Sequence, residues 1–209
     1  HNAELVYDPG QPSLNQAGFE AKDWTSSEFG HLQIKEELPP NTQEAWGLGF
    51  TIIAMVDADQ ASDSTTRRSK TGFLVYLNSA LVYWWSKKQN SVESSSFGSE
   101  FMVMKQCCEY LRGLRYKLCM MGIPVNGPAL IKGDNHSVLA NTTNPDLTLK
   151  KKSQSLAYHF VREGTANDDE WWVAYLNTHY NPADMLTKSL PGGEKQTQFI
   201  SFVLHYSLE

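Results

Sequence analysis

Three apolar runs, separated by short polar segments, dominate the chain between residues 47 and 86. The first run, GFTIIAMVDAD, ends in acids, and the next two, TGFLVYLN and ALVYWWS, are rich in the β-branched and aromatic residues that favour strands. Asn78-Ser79 stands between the second and third runs and suits a tight turn. This pattern predicts three antiparallel strands in a meander.

The period of the apolar positions then changes to that of a helix, from about Ser95 to Met121. Serines at its start can cap the helix, and its core face carries Met104, Cys108, Leu111, Leu114 and Leu118. Further on, PALIKGDN and WWVAYLNT predict two more strands and HSVLANTT and SLAYHFVREG predict helices. Asn181-Pro182 suits the start of a last helix, with Asn as the cap. The order of elements predicts an α/β fold, a mixed sheet covered by helices.

Residues 1–46 have an irregular texture, with several prolines and no sustained period, which predicts an extension or linker. Residues 47–193 form the predicted domain, and residues 194–209 a C-terminal tail. No apolar run approaches the roughly 20 residues that cross a bilayer, and the N-terminus lacks a signal-peptide pattern. We therefore expect an intracellular, cytoplasmic protein, whose three cysteines show no metal-binding spacing and stay reduced.

The net charge of −5 argues at first sight against a nucleic-acid partner. The charges are segregated, however. Residues 65–120 carry nine Lys and Arg against three Glu, whereas residues 1–50 carry eight acids against two Lys. The basic middle segment suits contact with a phosphate backbone, and it suits an ordinary solvated surface equally well.

Four acids occupy positions that packing alone would not favour: Asp57, Glu100, Asp134 and Asp184. Asp57 alternates with the core positions Ile53 and Met55, so it points toward the same covered face. Glu100 lies four residues before Met104, on or near the apolar stripe of the helix. Asp134 follows the predicted strand LIKG, and Asp184 falls in the first turn of the last helix.

Carboxylates from two strand ends and two helices can converge on one patch. Their mutual repulsion is strong unless divalent cations lie between them, and oxygen-only ligands select hard ions such as Mg²⁺ or Mn²⁺. Two such ions, about 4 Å apart, would activate a water molecule and stabilise the leaving oxygen of a phosphodiester. The set of four acids therefore predicts hydrolytic phosphoryl chemistry without a covalent nucleophile.

Taken singly, each acid also has an ordinary structural explanation. Asp134 suits a turn, Asp184 suits the N-terminal end of a helix, and Glu100 suits a helix surface. The segment DADQASD superficially resembles a calcium-binding loop, but Arg68 stands where the bidentate glutamate is expected. Asp59 is expected to be a neighbour of the site and not a member of it.

Five segments match, in order, the ribonuclease H domain at the C-terminal end of copia-type retrotransposon polyproteins: VDADQASDSTTRRSKTGFLVYL, WWSKKQNSVESSSFGSE, GDNHSVLAN, YHFVREG and NPADMLTKSLPGG. The chain resembles this family over residues 56–193. The resemblance implies a ribonuclease H-like fold, whose mixed five-stranded sheet has three antiparallel strands followed by parallel additions. It also implies hydrolysis of the RNA strand of RNA–DNA hybrids with two Mg²⁺ ions during reverse transcription. The partner would be the reverse transcriptase domain of the same polyprotein, and the location a cytoplasmic retroelement particle.

The resemblance also implies roles for individual residues. Asp57, Glu100, Asp134 and Asp184 match the catalytic, metal-binding acids of the family. Ser95, Ser96 and His136 match positions that approach the substrate, where a hydroxyl or amide can pair with a 2′-OH of RNA. The two serines suit helix capping equally well. His179 precedes Asp184 by only five residues, so its match to the mobile histidine of cellular enzymes stays open.

The phosphate contacts that we expect are the basic residues at the predicted strand ends, Arg67, Arg68, Lys87 and Lys88. Two other functions stay open for the same chain. The first is a ribonuclease H-like nuclease that acts on another substrate, and the second is a scaffold domain that has kept the fold without catalysis. Retention of all four acids favours an enzyme.

Overall fold

The computed structural model describes residues 3–4, 22–30, 38–149, 155–167, 170–190, 192–203 and 205–206. The strands are β1 (Ala3–Glu4), β2 (Ile52–Asp59), β3 (Lys70–Leu77), β4 (Ala80–Lys88), β5 (Ala129–Gly133), β6 (Trp171–Tyr175) and β7 (His205–Tyr206). The helices are α1 (Ser96–Met120), α2 (His136–Thr143), α3 (Ser155–Ala166), α4 (Asp184–Thr187) and α5 (Glu194–Val203). A 3-10 turn spans Thr178–Tyr180.

The main sheet has five strands in the order β4-β3-β2-β5-β6. Strands β2, β3 and β4 pair antiparallel, whereas β5 pairs parallel to β2 and β6 pairs parallel to β5. The predicted mixed sheet with a meander followed by parallel additions is therefore confirmed. Strands β1 and β7 pair with each other in a separate two-stranded sheet.

The hairpin between β3 and β4 turns at Asn78, as the sequence predicts. Asn78 has a φ of +54°, a left-handed conformation that asparagine tolerates better than most residues. Its side-chain oxygen accepts a hydrogen bond of 3.0 Å from the backbone N–H of Thr51. The turn is thereby tied to the residue that precedes β2.

Two apolar layers cover the sheet. On one face, the even-numbered residues of β2 pack against α1 and α3 in a cluster that includes Ile52, Ala54, Val56, Phe101, Met104 and Val161. On the other face, Ile53 and Met55 pack with Ala183 and Leu186 of the α4 region. Strand β2 is thus buried on both faces, and side chains at its end can contact residues of either layer.

Helix α1 agrees with the sequence to within one residue at each end, and Ser95 caps it by accepting a hydrogen bond from the N–H of Gly98. The last predicted helix is shorter than expected. It begins at Asp184 and not at Pro182, with Ala183 at the N-cap position. Asn181 lies in the turn before α4, where its Oδ1 accepts a hydrogen bond of 3.2 Å from the N–H of Ala183 and its Nδ2 donates to the carbonyl of Val56 over 2.8 Å.

The segments that flank the predicted domain contain structure of their own. Trp24 and Phe29 are buried, and the guanidinium of Arg162 on α3 lies 4.8 Å from the Trp24 ring centroid and 5.7 Å from that of Phe29. The predicted tail contains α5, in which Phe199 is buried. The boundaries at residues 46 and 193 stay predictions. In the part of the chain that the structure describes, no helix is long and apolar enough to span a membrane.

Candidate metal centre

Asp57 lies at the end of β2 with its side chain directed toward α4. Its carboxylate is buried, with 1% of the residue exposed. Thr187 on α4 donates its hydroxyl to Oδ2 of Asp57, and the ammonium of Lys188 lies 3.4 Å from Oδ1. The alternation with Ile53 and Met55 predicts this orientation, because successive strand residues point to opposite faces.

A close approach of α4 to β3 makes these contacts possible. Gly72 on β3 pairs with Asp57 across the sheet, and α4 lies directly above it. A Cβ atom at position 72 would lie 2.7 Å from Cγ2 of Thr187 and 2.8 Å from Cβ of Leu186. Glycine therefore sets how closely α4 approaches the strand, and with it the position of Thr187 over Asp57.

Glu100 reaches the same end of β2 from the opposite layer. It lies in the second turn of α1, next to the buried Phe101 and on the face that packs on the sheet. The backbone N–H of Ala58 donates to its carboxylate. Glu100 thus lies on the apolar face of α1, as its spacing from Met104 predicts.

Asp134 follows β5, which lies parallel to and next to β2. The ends of the two strands meet at one edge of the sheet, so Asp134 comes beside Asp57. The hydroxyl of Thr178, in the 3-10 turn after β6, donates to Oδ2 of Asp134 over 2.6 Å. The turn therefore orients the carboxylate.

Asp57, Glu100 and Asp134 converge. Each offers one carboxylate oxygen, and these three oxygens lie within 4.8 Å of one another. Burial raises the pKa of Glu100 to about 9, and the charges of Asp57 and Asp134 add to the effect. Burial likewise raises the pKa of Asp57 to about 6, although Thr187 and Lys188 act in the other direction. The arrangement needs protons or cations to offset its charge.

Asp184 is held apart from these three acids, in the first turn of α4. It is buried, and Lys188, four residues later, donates from Nζ to its Oδ1 over 2.8 Å. The same ammonium reaches Asp57, so Lys188 links the fourth acid to the group of three. Among the described residues, Asp184 is outside the set whose oxygens lie close enough to share one ion.

The oxygen-only donor set suits a hard divalent cation such as Mg²⁺ or Mn²⁺. Three carboxylates from separate elements are fixed by the core within ligand distance of a common point. Burial first, and then the charges of Asp57 and Asp134, raise the pKa of Glu100, and a bound cation would favour its ionised form. The residues present therefore fit a metal ion, although their role stays a prediction.

The chain is similar to parts of several larger proteins. It is 32% identical over 144 residues to the retrovirus-related Pol polyprotein from transposon RE2 of Arabidopsis thaliana, which covers 69% of the chain and 10% of that protein. It is 30% identical over 135 residues to the Pol polyprotein from transposon TNT 1-94 of Nicotiana tabacum, covering 65% of the chain. The chain spans about a tenth of the length of these relatives. No protein-family model matches it.

Solved structures show the same fold at low sequence identity. RNase H1 from the archaeon Halobacterium salinarum superposes with a TM-score of 0.51 at 14% identity, covering 66% of this chain and 94% of that one. LC11-RNase H1 in complex with an RNA/DNA hybrid superposes with a TM-score of 0.52 at 12% identity, with the same coverage.

The chain has a ribonuclease H-like fold. It is homologous to a segment of transposon Pol polyproteins, which confirms the resemblance that the sequence predicts. In this ribonuclease H-like domain, the sheet end that carries the acids also carries the predicted basic residues. Lys87 on β4 pairs with Thr71 and Lys88 with Lys70, directly across β3 from the end of β2.

The four predicted phosphate contacts of the ribonuclease H-like domain differ in their surroundings. Lys87 is exposed, with its ammonium 5.7 Å from the Trp85 ring centroid. Lys88 forms an ion pair with the carboxylate of Asp63. Arg67 and Arg68 are exposed in the loop between β2 and β3, where Arg67 has a φ of +54°.

The other predicted substrate contacts lie at helix starts. Ser95 caps α1, as one of its two interpretations predicts, and Ser96 is exposed beside it. His136 begins α2, and its ring stacks on Tyr175 with centroids 4.0 Å apart. His179 lies exposed in the turn that also holds Thr178.

Residues that sequence reasoning missed lie around the acids and not among them. They are Thr178, Asn181, Thr187 and Lys188. Thr178, Thr187 and Lys188 each contact an acid that is distant in sequence. Lys188 also contacts Asp184, which lies four residues before it. That last pair, at i and i+4 in a helix, is a spacing that the sequence does display.

Proposed function

We propose that this ribonuclease H-like domain hydrolyses the RNA strand of RNA–DNA hybrids during reverse transcription. The observation that carries the proposal is the convergence of Asp57, Glu100 and Asp134 at one end of a ribonuclease H-like sheet. Asp184 completes the proposed set from the opposite side of Asp57. A cytoplasmic retroelement particle, with the reverse transcriptase domain of the same polyprotein, is part of the proposal.

Two divalent cations bound by these acids would activate a water molecule and stabilise the leaving 3′-oxygen of the RNA strand. The chain's own residues hold the acids in place for this purpose. Thr187 fixes the orientation of the Asp57 carboxylate and Thr178 that of Asp134. Residues that hydrogen-bond to a metal ligand and orient it commonly raise metal affinity or activity roughly ten- to a hundredfold.

The substrate would lie across the sheet end that carries the acids. Neighbouring strands are about 4.8 Å apart, so Lys87, two strands from Asp57, lies about 10 Å from it along the sheet. A basic side chain at this distance suits a phosphate of the bound duplex. The exposed hydroxyl of Ser96 and the ring of His136 flank the acids and suit contacts with the RNA sugar edge.

The test compares substrates and variants with the full chain. Labelled RNA–DNA hybrid, duplex DNA and duplex RNA are incubated with the protein and Mg²⁺. Asp57→Asn and Glu100→Gln are expected to lose cutting, because each removes a charged ligand. Asp59→Asn on the same strand and Glu109→Gln on the same helix are matched controls that keep it.

Three outcomes would contradict the proposal. Equal cutting by the wild type, Asp57→Asn and Glu100→Gln would mean that the acids are not the active site. Cutting of duplex DNA but not of the hybrid would assign another substrate. No cutting of any substrate, together with unchanged melting on addition of Mg²⁺, would indicate a scaffold domain.

A further inference from the structure

Lys188 stands at the end of α4, and its side chain turns back toward the acids. Its ammonium lies 2.8 Å from Oδ1 of Asp184 and 3.4 Å from Oδ1 of Asp57. The two aspartates are 1–2% exposed, whereas the lysine side chain is 39% exposed. One positive charge at the protein surface thus bridges two buried carboxylates from separate elements.

This contact differs from an ordinary surface ion pair. Exposed pairs of Lys with Asp or Glu contribute little, because water solvates both partners well. Here both carboxylates are shielded from water, so the ammonium offsets charge that solvent cannot. Burial acts to lower the pKa of Lys188, but the hydrogen bond to Asp184 and the charges of both aspartates outweigh it and raise the pKa. The lysine therefore stays charged in this position.

A divalent cation held by Asp57 and Asp184 would need the oxygens that Lys188 contacts. Mg²⁺ lies about 2.1 Å from a carboxylate oxygen, so an ion on Oδ1 of Asp184 would be within about 5 Å of the ammonium in its present place. Two positive charges at that distance in a partly buried site repel strongly. The ion and the ammonium therefore compete for the same two oxygens.

The group of Asp57, Glu100 and Asp134 presents a weaker conflict. Lys188 contacts only Asp57 of these three in the described ion pairs, over 3.4 Å, while Glu100 and Asp134 come from α1 and the end of β5. An ion among the three acids would therefore share one ligand with the ammonium, whereas an ion between Asp57 and Asp184 would share both. The two candidate ion positions differ in how many of their ligands the chain's own cation already contacts.

We propose that Lys188 is a built-in cation that competes with a divalent metal ion for Asp57 and Asp184. The inference rests on the proposed function, since it assumes that the acids bind metal ions. An ion enters between Asp57 and Asp184 only as the Lys188 side chain moves out to solvent. Its exposure and flexible four-carbon stem allow that movement. Lys188 thereby makes the two ion positions unequal and sets the metal concentration at which the second one fills.

The first experiment measures Mn²⁺ binding to the full chain by isothermal titration calorimetry. Methionine is close to lysine in shape and carries no charge, so Lys188→Met is expected to bind the second ion at least about tenfold more tightly than the wild type. Lys188→Arg keeps the charge and is expected to keep the weak second site. Lys105→Met is the matched control, because Lys105 pairs only with Glu109 on the exposed side of α1 among the described ion pairs.

The second experiment uses the wild-type protein and so does not depend on how a variant folds. Acetic anhydride labels accessible amines, and mass spectrometry gives the labelling of each lysine with and without Mn²⁺. Labelling of Lys188 is expected to rise severalfold as the second ion binds, while that of Lys105 stays constant. Labelling of Lys188 that is unchanged or reduced by Mn²⁺ would overturn the inference.

The outcomes separate the inference from the proposed function. Loss of Mn²⁺ binding in Asp57→Asn, with Lys188→Met equal to the wild type or weaker, would overturn the role of Lys188 alone. The metal site would then stand, with the lysine as a support or a phosphate contact. Absence of Mn²⁺ binding in the wild type, Asp57→Asn and Lys188→Met alike would overturn both. Tighter binding in Lys188→Met and wild-type affinity in Lys188→Arg would support both.

Discussion

Asp57, Glu100 and Asp134 on one side of the site and Asp184 on the other are held by different means. The first three come from β2, α1 and the end of β5, elements anchored in the two apolar layers of the core. Asp184 comes from α4, which has four residues, and it is paired with Lys188. Elements anchored in the core hold the three like charges close together. The acid on the short helix α4 is instead paired with a lysine of the same chain.

The largest expected difference between the two sides is in catalysis. Glu100→Gln is expected to lower the rate of hybrid cutting on the order of 10³-fold, because it removes one of three acids fixed around a common point. Asp184→Asn is expected to cost about ten- to a hundredfold, since Lys188 already offsets much of the Asp184 charge. Single-turnover cutting rates measure both. Equal losses would mean that the two sides are equivalent.

Within the group of three acids, the two threonines that contact carboxylates should differ in their effect. Thr187→Val removes a hydroxyl from the buried carboxylate of Asp57 and is expected to lower kcat about ten- to a hundredfold. Thr178→Val acts on Asp134 in an exposed turn, where water can replace the hydroxyl, so a loss of less than about tenfold is expected. A larger effect from Thr178→Val would mean that Asp134 depends on its hydroxyl partner more than the buried Asp57 does.

A third change alters the fit of α4 on the sheet. Gly72→Ala places a Cβ against Thr187 and Leu186 and is expected to lower the free energy of unfolding by about 1–3 kcal/mol. The control is Gly113→Ala in α1, where a Cβ would meet nothing within 4 Å, and which is expected to stabilise by about 0.5–1 kcal/mol. Urea unfolding measures both. A neutral Gly72→Ala would mean that α4 moves freely.

A separate prediction concerns pH in the absence of divalent ions. Burial raises the pKa of Glu100 to about 9, above the 4.5 of a free glutamate. Below pH 4.5, Glu100 is protonated in both the folded and the unfolded state. As the pH rises further, the unfolded state loses this proton first, so the free energy of unfolding falls until about pH 9. Urea unfolding in EDTA at several pH values measures the slope. Glu100→Gln should flatten it, and an unchanged slope would assign it to another group.

The convergence of Asp57, Glu100 and Asp134 could be predicted from the sequence, because each lies on or beside an element whose local pattern indicates its direction. Asp57 follows from strand alternation, Glu100 from the apolar stripe of α1, and Asp134 from its place after β5. The fold follows for the same reason: the five strands of the main sheet and the length of α1 are encoded in short-range patterns.

The surroundings of the acids could not be predicted in the same way. Thr187 and Asn181 act through tertiary contacts that no local period displays. The start of α4 at Asp184 and not at Pro182 could not be predicted either, nor could the contact by which the Asn181 side chain joins the N–H of Ala183 to the carbonyl of Val56. The helix inside the predicted tail was also missed; among its described residues, Phe199 is the buried one.

The partners of β2 arrive late as the chain is synthesised. Asn181 lies 125 residues after Val56, and Thr187 lies 130 residues after Asp57. A growing chain that has emerged only as far as α2 already contains Asp57, Glu100 and Asp134, but it lacks α4 and the cation of Lys188. Contacts of such long range are made late and slowly in folding. The nascent domain therefore passes through a stage in which its three central acids are present without the ammonium that contacts Asp57.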